Sequence, residues 1–199
     1  MRHLLLLCLT LGLTSPFALE SAQATRPATQ RLSAAAAEFG ARLSADGDAL
    51  GRPFAVVDKN AAQLVVFRAD GSLAGSSDVL VGRDKGDDTV PGVGERTQSR
   101  TLRPGDATTP AGRFESWPGR NLSGEAVVWV DYAAAFAIHR LRPGAGQVER
   151  LRRLASPSPL DNRSSAGCVV VPVAFYDSVV QPLLGTQRGV VYVLPESSP

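Results

Sequence analysis

From Pro53 onward the chain is written in short β-branched and aromatic runs separated by turn residues: FAVVD, QLVVFR, SLAGSSDVLVG, VVWVDY, FAIHR, CVVV and VVYVL. Runs of this length and composition suit a pleated, half-buried surface, and each is too short for a buried helix. They predict a mainly β domain, and with 44% hydrophobic residues in 199 the chain has enough apolar content for its own core. The DKNAA link and the Asp70-Gly71 pair supply hairpin-type connections, while 147–154 and 173–184 read as short helices between strands.

Ahead of the β-rich region, TQRLSAAAAEFGARLSA places Leu32, Ala36, Phe39 and Leu43 at helical spacing. One amphipathic helix is expected, either packed on the domain or forming a stalk, with Gly51 and Pro53 marking its boundary. Earlier still, Arg2 and His3, the run LLLLCLTLGL, Pro16 and the small-residue site ending at Ala24 have the parts of a secretory signal. The expected organisation is therefore a signal peptide at 1–24, a helical segment or linker at 25–52, the β-rich domain at 53–195 and a tail at 196–199. No segment reaches the roughly 20 apolar residues of a membrane span, so no transmembrane segment is expected. Cys8 lies inside the apolar run, without the small residues that precede a lipidated cysteine.

Removal of 1–24 would leave Cys168 as the sole cysteine and His139 as the sole histidine. An intrachain disulfide is then impossible even in an oxidising compartment, and the thiol must be intermolecular, inert or reactive. A zinc site of the usual Cys/His kind is excluded by number, so no metal is expected. The formal net charge of +2 gives no nucleic-acid footprint and no membrane-surface patch.

A lone cysteine is more often a small buried hydrophobe than a nucleophile. The context of Cys168 shifts that balance. Gly167 lets the backbone approach a bound group closely, and its N–H with that of Cys168 could face one oxyanion. The attacking species is a thiolate, so a base is needed, and His139 is the histidine available. In FAIHR the alternation puts Phe136 and Ile138 on one face, Ala137 and His139 on the other, so the imidazole should point away from the buried face. A solvated edge histidine is the plain alternative. The segment 82–112, rich in Gly, Pro, Asp and Thr, reads as a long loop edging a cleft.

The order His then Cys disfavours papain-like peptidases. Sortases share that order and Arg188 could imitate their arginine, but their Thr-Leu-x-Thr-Cys signature is absent. From about Pro53 to Pro195 the chain instead resembles the YkuD-type L,D-transpeptidase catalytic domain. The resemblance is carried by the opening FAVVDKNAAQLVVFRADGSLAGSSDVLVG, TTPAGRF at 108–114, AIHR around His139 and SAGCVVVP at 165–172. It implies a β-sandwich or barrel with a few short helices, plus the N-terminal helix. It also implies Cys168 as nucleophile, His139 as base, Ser165 and Gly167 as the fixed residues ahead of the cysteine, and the carbonyl of Arg140 as the group that orients the imidazole. Two positions depart from the family pattern: Ala166 stands where many members have a second histidine, and Val170 where Asn or Arg usually stands. The long interval between His139 and Cys168 resembles a longer-loop branch found in Gram-negative bacteria.

The resemblance further implies a periplasmic enzyme without cofactor, acting on peptidoglycan stem peptides through a thioester. The acceptor is left open among another stem's amine, an anchored protein's amine and water. Arg163 is the expected carboxylate fork and Tyr132 a cleft-lining residue, whereas core packing is expected for Trp129 and a solvated helix face for Arg150, Arg152 and Arg153. A fold-retaining envelope protein that binds without catalysis is the rival of another class, and a general thiol peptidase is a third reading.

Overall fold

The computed structural model describes residues 32–196; the expected signal peptide, the start of the expected 25–52 segment and the last residues of the expected tail lie outside them. The first helix, α1 (Ala34–Asp46), begins where Ser33 Oγ accepts the Ala36 N–H and ends where Gly47, at φ 67°, returns its N–H to Leu43 O. Its expected apolar stripe lies on the sheet. Ala36 and Leu43 are buried against Phe54, Val56, Val65, Phe67, Val190 and Tyr192, with Leu32 and Phe39 packed at the edge.

The domain is mainly β. Its strands are β1 (Phe54–Asp58), β2 (Gln63–Phe67), β3 (Leu73–Asp78), β4 (Val81–Gly82), β5 (Gly112–Arg120), β6 (Ala126–Asp131), β7 (Phe136–Arg140), β8 (Arg163–Ser165), β9 (Val169–Val171) and β10 (Gly189–Val193). Eight of them form one sheet in the order β3-β2-β1-β10-β5-β6-β7-β9, while β4 pairs with β8 alone. Leu80, just beyond β3, exchanges both backbone hydrogen bonds with Val170 of β9, at 2.8 and 2.9 Å, so the two ends of the sheet meet and the sheet nearly closes on itself.

Alternation divides each strand between two faces. The inner face, with Ala55, Val57, Leu64, Val66, Val128, Ile138, Val169 and Val191, packs around Tyr176, Val180 and Leu184 of the helical run 173–184, which contains a π turn at Tyr176–Val180. The outer face differs along the sheet. Over β2, β1 and β10 it is covered by α1, which explains why those strands are buried on both sides and read as unbroken apolar runs. Over β6, β7 and β9 it carries Trp129, His139 and Cys168 at the wall of a cleft.

Two elements were not foreseen from the pattern. β5 contains Pro118 and few β-branched residues, yet it pairs on both sides. Pro118 is tolerated because the pairing with β10 stops at Ser116, so past that point β5 pairs with β6 alone and no ladder donor is lost toward β10. Inside the Gly- and Pro-rich segment 82–112 sits α2 (Val93–Ser99), whose end is fixed by Arg96 gripping Asp106 with two bonds of 2.6 and 2.7 Å. That side-chain lock, closed across ten residues of the same segment, supplies what periodicity does not show.

Gly40 of α1 faces the Phe67 ring, which is stacked on Phe54 with centroids 4.7 Å apart and has little freedom to retreat. Alanine is the better helix former by about 1 kcal/mol. A β-carbon here, however, presses into that ring, so Gly40→Ala is expected to destabilise the protein by a net amount of about 1 kcal/mol or more, the overpacking cost outweighing propensity. Urea unfolding measures this, and an unchanged or raised midpoint would mean that α1 does not depend on the sheet.

Candidate active site

β7 and β9 run parallel, with Ile138 opposite Val169, His139 opposite Val170 and Arg140 opposite Val171. Phe136 and Ile138 enter the core, so Ala137 and His139 turn outward. Cys168, one residue before β9 and two before the partner of His139, shares that outward face diagonally across the strand pair. Both side chains line a cleft of about 700 Å³ that is open to solvent.

The imidazole is held by its own strand end. Nδ1 lies 2.8 Å from the Arg140 carbonyl oxygen, which can only accept, so Nδ1 carries the proton and Nε2 keeps its lone pair. Burial pushes the His139 pKa down from 6.5 to about 4; the Arg140 carbonyl opposes that shift, and the charge of Arg142 adds to it. The imidazole is therefore neutral at pH 7. Burial also pushes the Cys168 thiol above its ordinary 9.0, against smaller lowering effects from the Ala137 N–H and the charge of Arg142. The thiol donates to Ala135 O at 3.4 Å, and Ala135, at φ 52°, sits in the turn between β6 and β7.

The segment leading to the sulfur is fixed by hydroxyls. Ser165 Oγ donates to the Cys168 carbonyl at 2.6 Å and accepts the Gly167 N–H at 3.1 Å. Buried Thr109 donates through Oγ1 to Gly167 O at 2.8 Å and accepts the Gly82 N–H at 2.8 Å. Gly167 has φ 122°, and a β-carbon there would stand 2.9 Å from Thr108 O, so both backbone angle and space require glycine. Because its N–H is committed to Ser165, Gly167 does not present the free donor that the sequence suggested for an oxyanion.

Arg163 is not brought to the cleft. Its Nη2 bonds Glu196 Oε1 at 2.7 Å and its Nη1 bonds Gly82 O at 3.3 Å. Glu196 also lies 3.8 Å from Lys59 Nζ, which is fully buried and donates to Asp87 Oδ1, Gly86 O and Thr109 O at 2.6 to 2.9 Å. The guanidinium belongs to this internal network of two cations and two carboxylates, and sequence proximity to Cys168 misrepresents where it points. The Arg140 side chain also turns away, 3.1 Å from Asp177 and over the Tyr176 ring; only its carbonyl reaches His139. Arg188 lies over Trp117, away from the cleft wall.

Tyr132 does line the cleft, largely exposed, in edge contact with Trp129 at 4.9 Å between centroids. Trp129 lines it too, half-buried, instead of packing in the core, because Val128 and Val130 take the inward positions of β6. Sequence reasoning missed Thr109 as a support and singled out Arg163 instead of Arg142 as the arginine that meets a carboxylate in the cleft. The solvated-face expectation holds for Arg152 and Arg153, both paired with Glu149, while Arg150 turns into the cleft. The 82–112 segment edges the cleft through Thr97 and Arg100 of α2 and its end. Among the described residues no group of three or more His, Cys, Asp or Glu side chains is placed to hold a metal, and no helix is long and apolar enough to cross a membrane.

No model of a protein family matches the chain, and no curated protein does. Its structure is similar to L,D-transpeptidase catalytic domains. The catalytic domain of the E. faecium L,D-transpeptidase is 18% identical with a TM-score of 0.36, over 72% of this chain and 98% of that one. The L,D-transpeptidase from Mycobacterium smegmatis is 17% identical with a TM-score of 0.39, over 72% and 58%. The helical cell shape determining protein Pgp2 from Campylobacter jejuni is 14% identical with a TM-score of 0.46, over 74% of this chain and 49% of that one, so the chain spans about half of Pgp2's length. The chemistry has to come from the cleft itself.

Two outcomes are expected. Thr109→Val removes both bonds that tie Gly82 to Gly167 and should destabilise the protein by about 1–3 kcal/mol, whereas Thr109→Ser should retain most of the stability; denaturant unfolding of the two variants separates them. As pH falls below 6.5 the unfolded chain binds a proton that native His139 refuses until about pH 4, so stability should fall across that window. His139→Gln should flatten this part of a stability-against-pH curve, and an equally steep curve in the variant would assign the loss to other groups.

Proposed function

We propose that the protein is a cysteine acyltransferase of the L,D-transpeptidase type, acting on peptidoglycan stem peptides in the cell envelope. The observation that carries this reading is the convergence of Cys168 and His139 on one outward face of the β7–β9 pair, in an open cleft, with Nδ1 already engaged and Nε2 available. The sequence resemblance supports the substrate class, and the apolar run followed by small residues before Ala24 supports a periplasmic location.

Cys168 Sγ attacks the carbonyl of the amide between the L-centre of the diamino acid and a terminal D-alanine. His139 Nε2 takes the thiol proton and passes it to the departing D-alanine amine, leaving a thioester. An incoming amine attacks that thioester, loses a proton to Nε2 and restores the thiol. With both groups neutral at rest, proton transfer accompanies attack; a standing thiolate–imidazolium pair is not the ground state. The Cys168 N–H meets the tetrahedral oxyanion, with the Arg142 charge behind it. A second stem's amine as acceptor yields a cross-link, a protein's amine an anchored protein, and water an L,D-carboxypeptidase product.

A non-catalytic, peptidoglycan-binding envelope protein is the second reading, favoured by the raised thiol pKa and by Ala166 and Val170 at the departing positions. Incubation with purified sacculi followed by muropeptide analysis decides. The wild type should produce cross-linked or trimmed stems, Cys168→Ala none, and His139→Ala at least about 10²-fold less. The activity should persist down to about pH 5 and fall as His139 gains its proton near 4. Intact wild-type protein without product on sacculi or stem tetrapeptides would leave the binding reading in place.

A further inference from the structure

Among the described residues the cleft around Cys168 and His139 is lined by four arginines, Arg100, Arg120, Arg142 and Arg150, with Glu125 behind Arg142 as the carboxylate that meets it. On a chain of net charge +2 that is a local concentration of one sign, not a reflection of overall composition. Arg142 follows β7 by two residues and Arg150 sits on α3 (Gln147–Leu154). Both line the cleft with His139 and Cys168, and Arg150 reaches the Arg142 carbonyl; at His139 the charge of Glu125 opposes those of the two arginines.

Their existing partners leave capacity unused. Arg142 Nε stands 2.7 Å from Glu125 Oε2, and that carboxylate is shared with Asn121 Nδ2, also at 2.7 Å. Arg150 reaches the Arg142 carbonyl with one long bond of 3.3 Å. By contrast Arg152 and Arg153, its helix neighbours, are both paired with Glu149, and Arg153 also donates to the Asp161 carbonyl. Ser164 Oγ and Thr97 Oγ1, in the same cleft wall, are buried without a hydrogen-bond partner in the protein. A cationic wall with spare donors and unpartnered hydroxyls is suited to a group with several acceptor atoms and a negative charge.

We propose that Arg142 and Arg150 form a carboxylate-binding subsite that orients an anionic acyl donor at Cys168, with Glu125 tuning the strength of that subsite by competing for Arg142. The identity of the donor rests on the acyl-transfer reading above; the subsite itself does not. Arg142 and Arg150 are positioning residues in this account, selecting which peptide places its carbonyl over the sulfur. The subsite falls where Arg163 was expected to act.

Two alkylating reagents of nearly equal size, iodoacetate and iodoacetamide, test the subsite through Cys168 without requiring turnover. Taking the ratio of their rate constants cancels any change in thiolate fraction that a substitution causes. Relative to wild type the iodoacetate-to-iodoacetamide ratio should fall about tenfold in Arg142→Gln, fall by a smaller factor in Arg150→Gln and rise in Glu125→Gln, and 1 M salt should erase the differences. A ratio unchanged within twofold in all three variants would overturn the proposal. In parallel, converting the donor stem peptide's carboxylates to carboxamides should raise KM for the wild type and leave that of Arg142→Gln nearly unchanged. Shifted alkylation ratios with no turnover of any donor would sink the acyl-transfer reading and keep the subsite; turnover with flat ratios and no carboxamide effect would do the reverse.

Discussion

The parallel register of β7 on β9 is the constraint on which the rest depends. A slip of one residue between these strands would send either the imidazole or the sulfur into the core, because side-chain direction alternates with every position. The register is held from three sides. Ile138 and Val169 pack inward together, Leu80 bonds to Val170 from the other end of the sheet, and Leu141 N donates to Val171 O beyond the last pair. The hydroxyls of Ser165 and Thr109 then set the short segment that carries Cys168 out of β8 and into β9.

The same packing sets the electrostatic character of the site. Burial disfavours charge on both groups, raising the thiol and lowering the imidazole, so the pair rests uncharged. That differs from an activated thiolate, and it makes the reactivity of Cys168 depend on what enters the cleft. An incoming anion would favour the protonated imidazole, whereas the surrounding arginines favour the thiolate. Charge brought by a ligand and charge built into the wall therefore act on different partners of the pair.

Much of this was legible in the sequence, and the failures have a common cause. The runs FAIHR and CVVV already state which faces carry His139 and Cys168, since alternation is local information. α1, α3 and the 173–184 run were equally visible through periodicity and punctuation. What escaped were features made by contacts between distant segments. α2 depends on Arg96 meeting Asp106, and β5 on a β10 pairing that ends at Ser116, before Pro118. Arg163 is adjacent to the cysteine segment in sequence, but Glu196, thirty-three positions away, takes its charge. Arg142 sits three residues past the histidine and gave no signal of its own, because an arginine after a strand is usually solvated.

The two treatments of the outer sheet face have a consequence for how such a chain can change over time. Over β1, β2 and β10 every position is pressed from both sides, so substitutions there are screened first by whether the protein folds at all. Over β6, β7 and β9 the outward face is mixed: Val170 is buried with Leu80, Leu141 and Leu154, while Trp129 is only half-buried at the cleft wall. Selection can rewrite Trp129 or its exposed neighbour Tyr132 for a new ligand at small expense in stability, which makes one end of a single sheet conservative scaffold and the cleft rim at the other end a place where new specificities can arise.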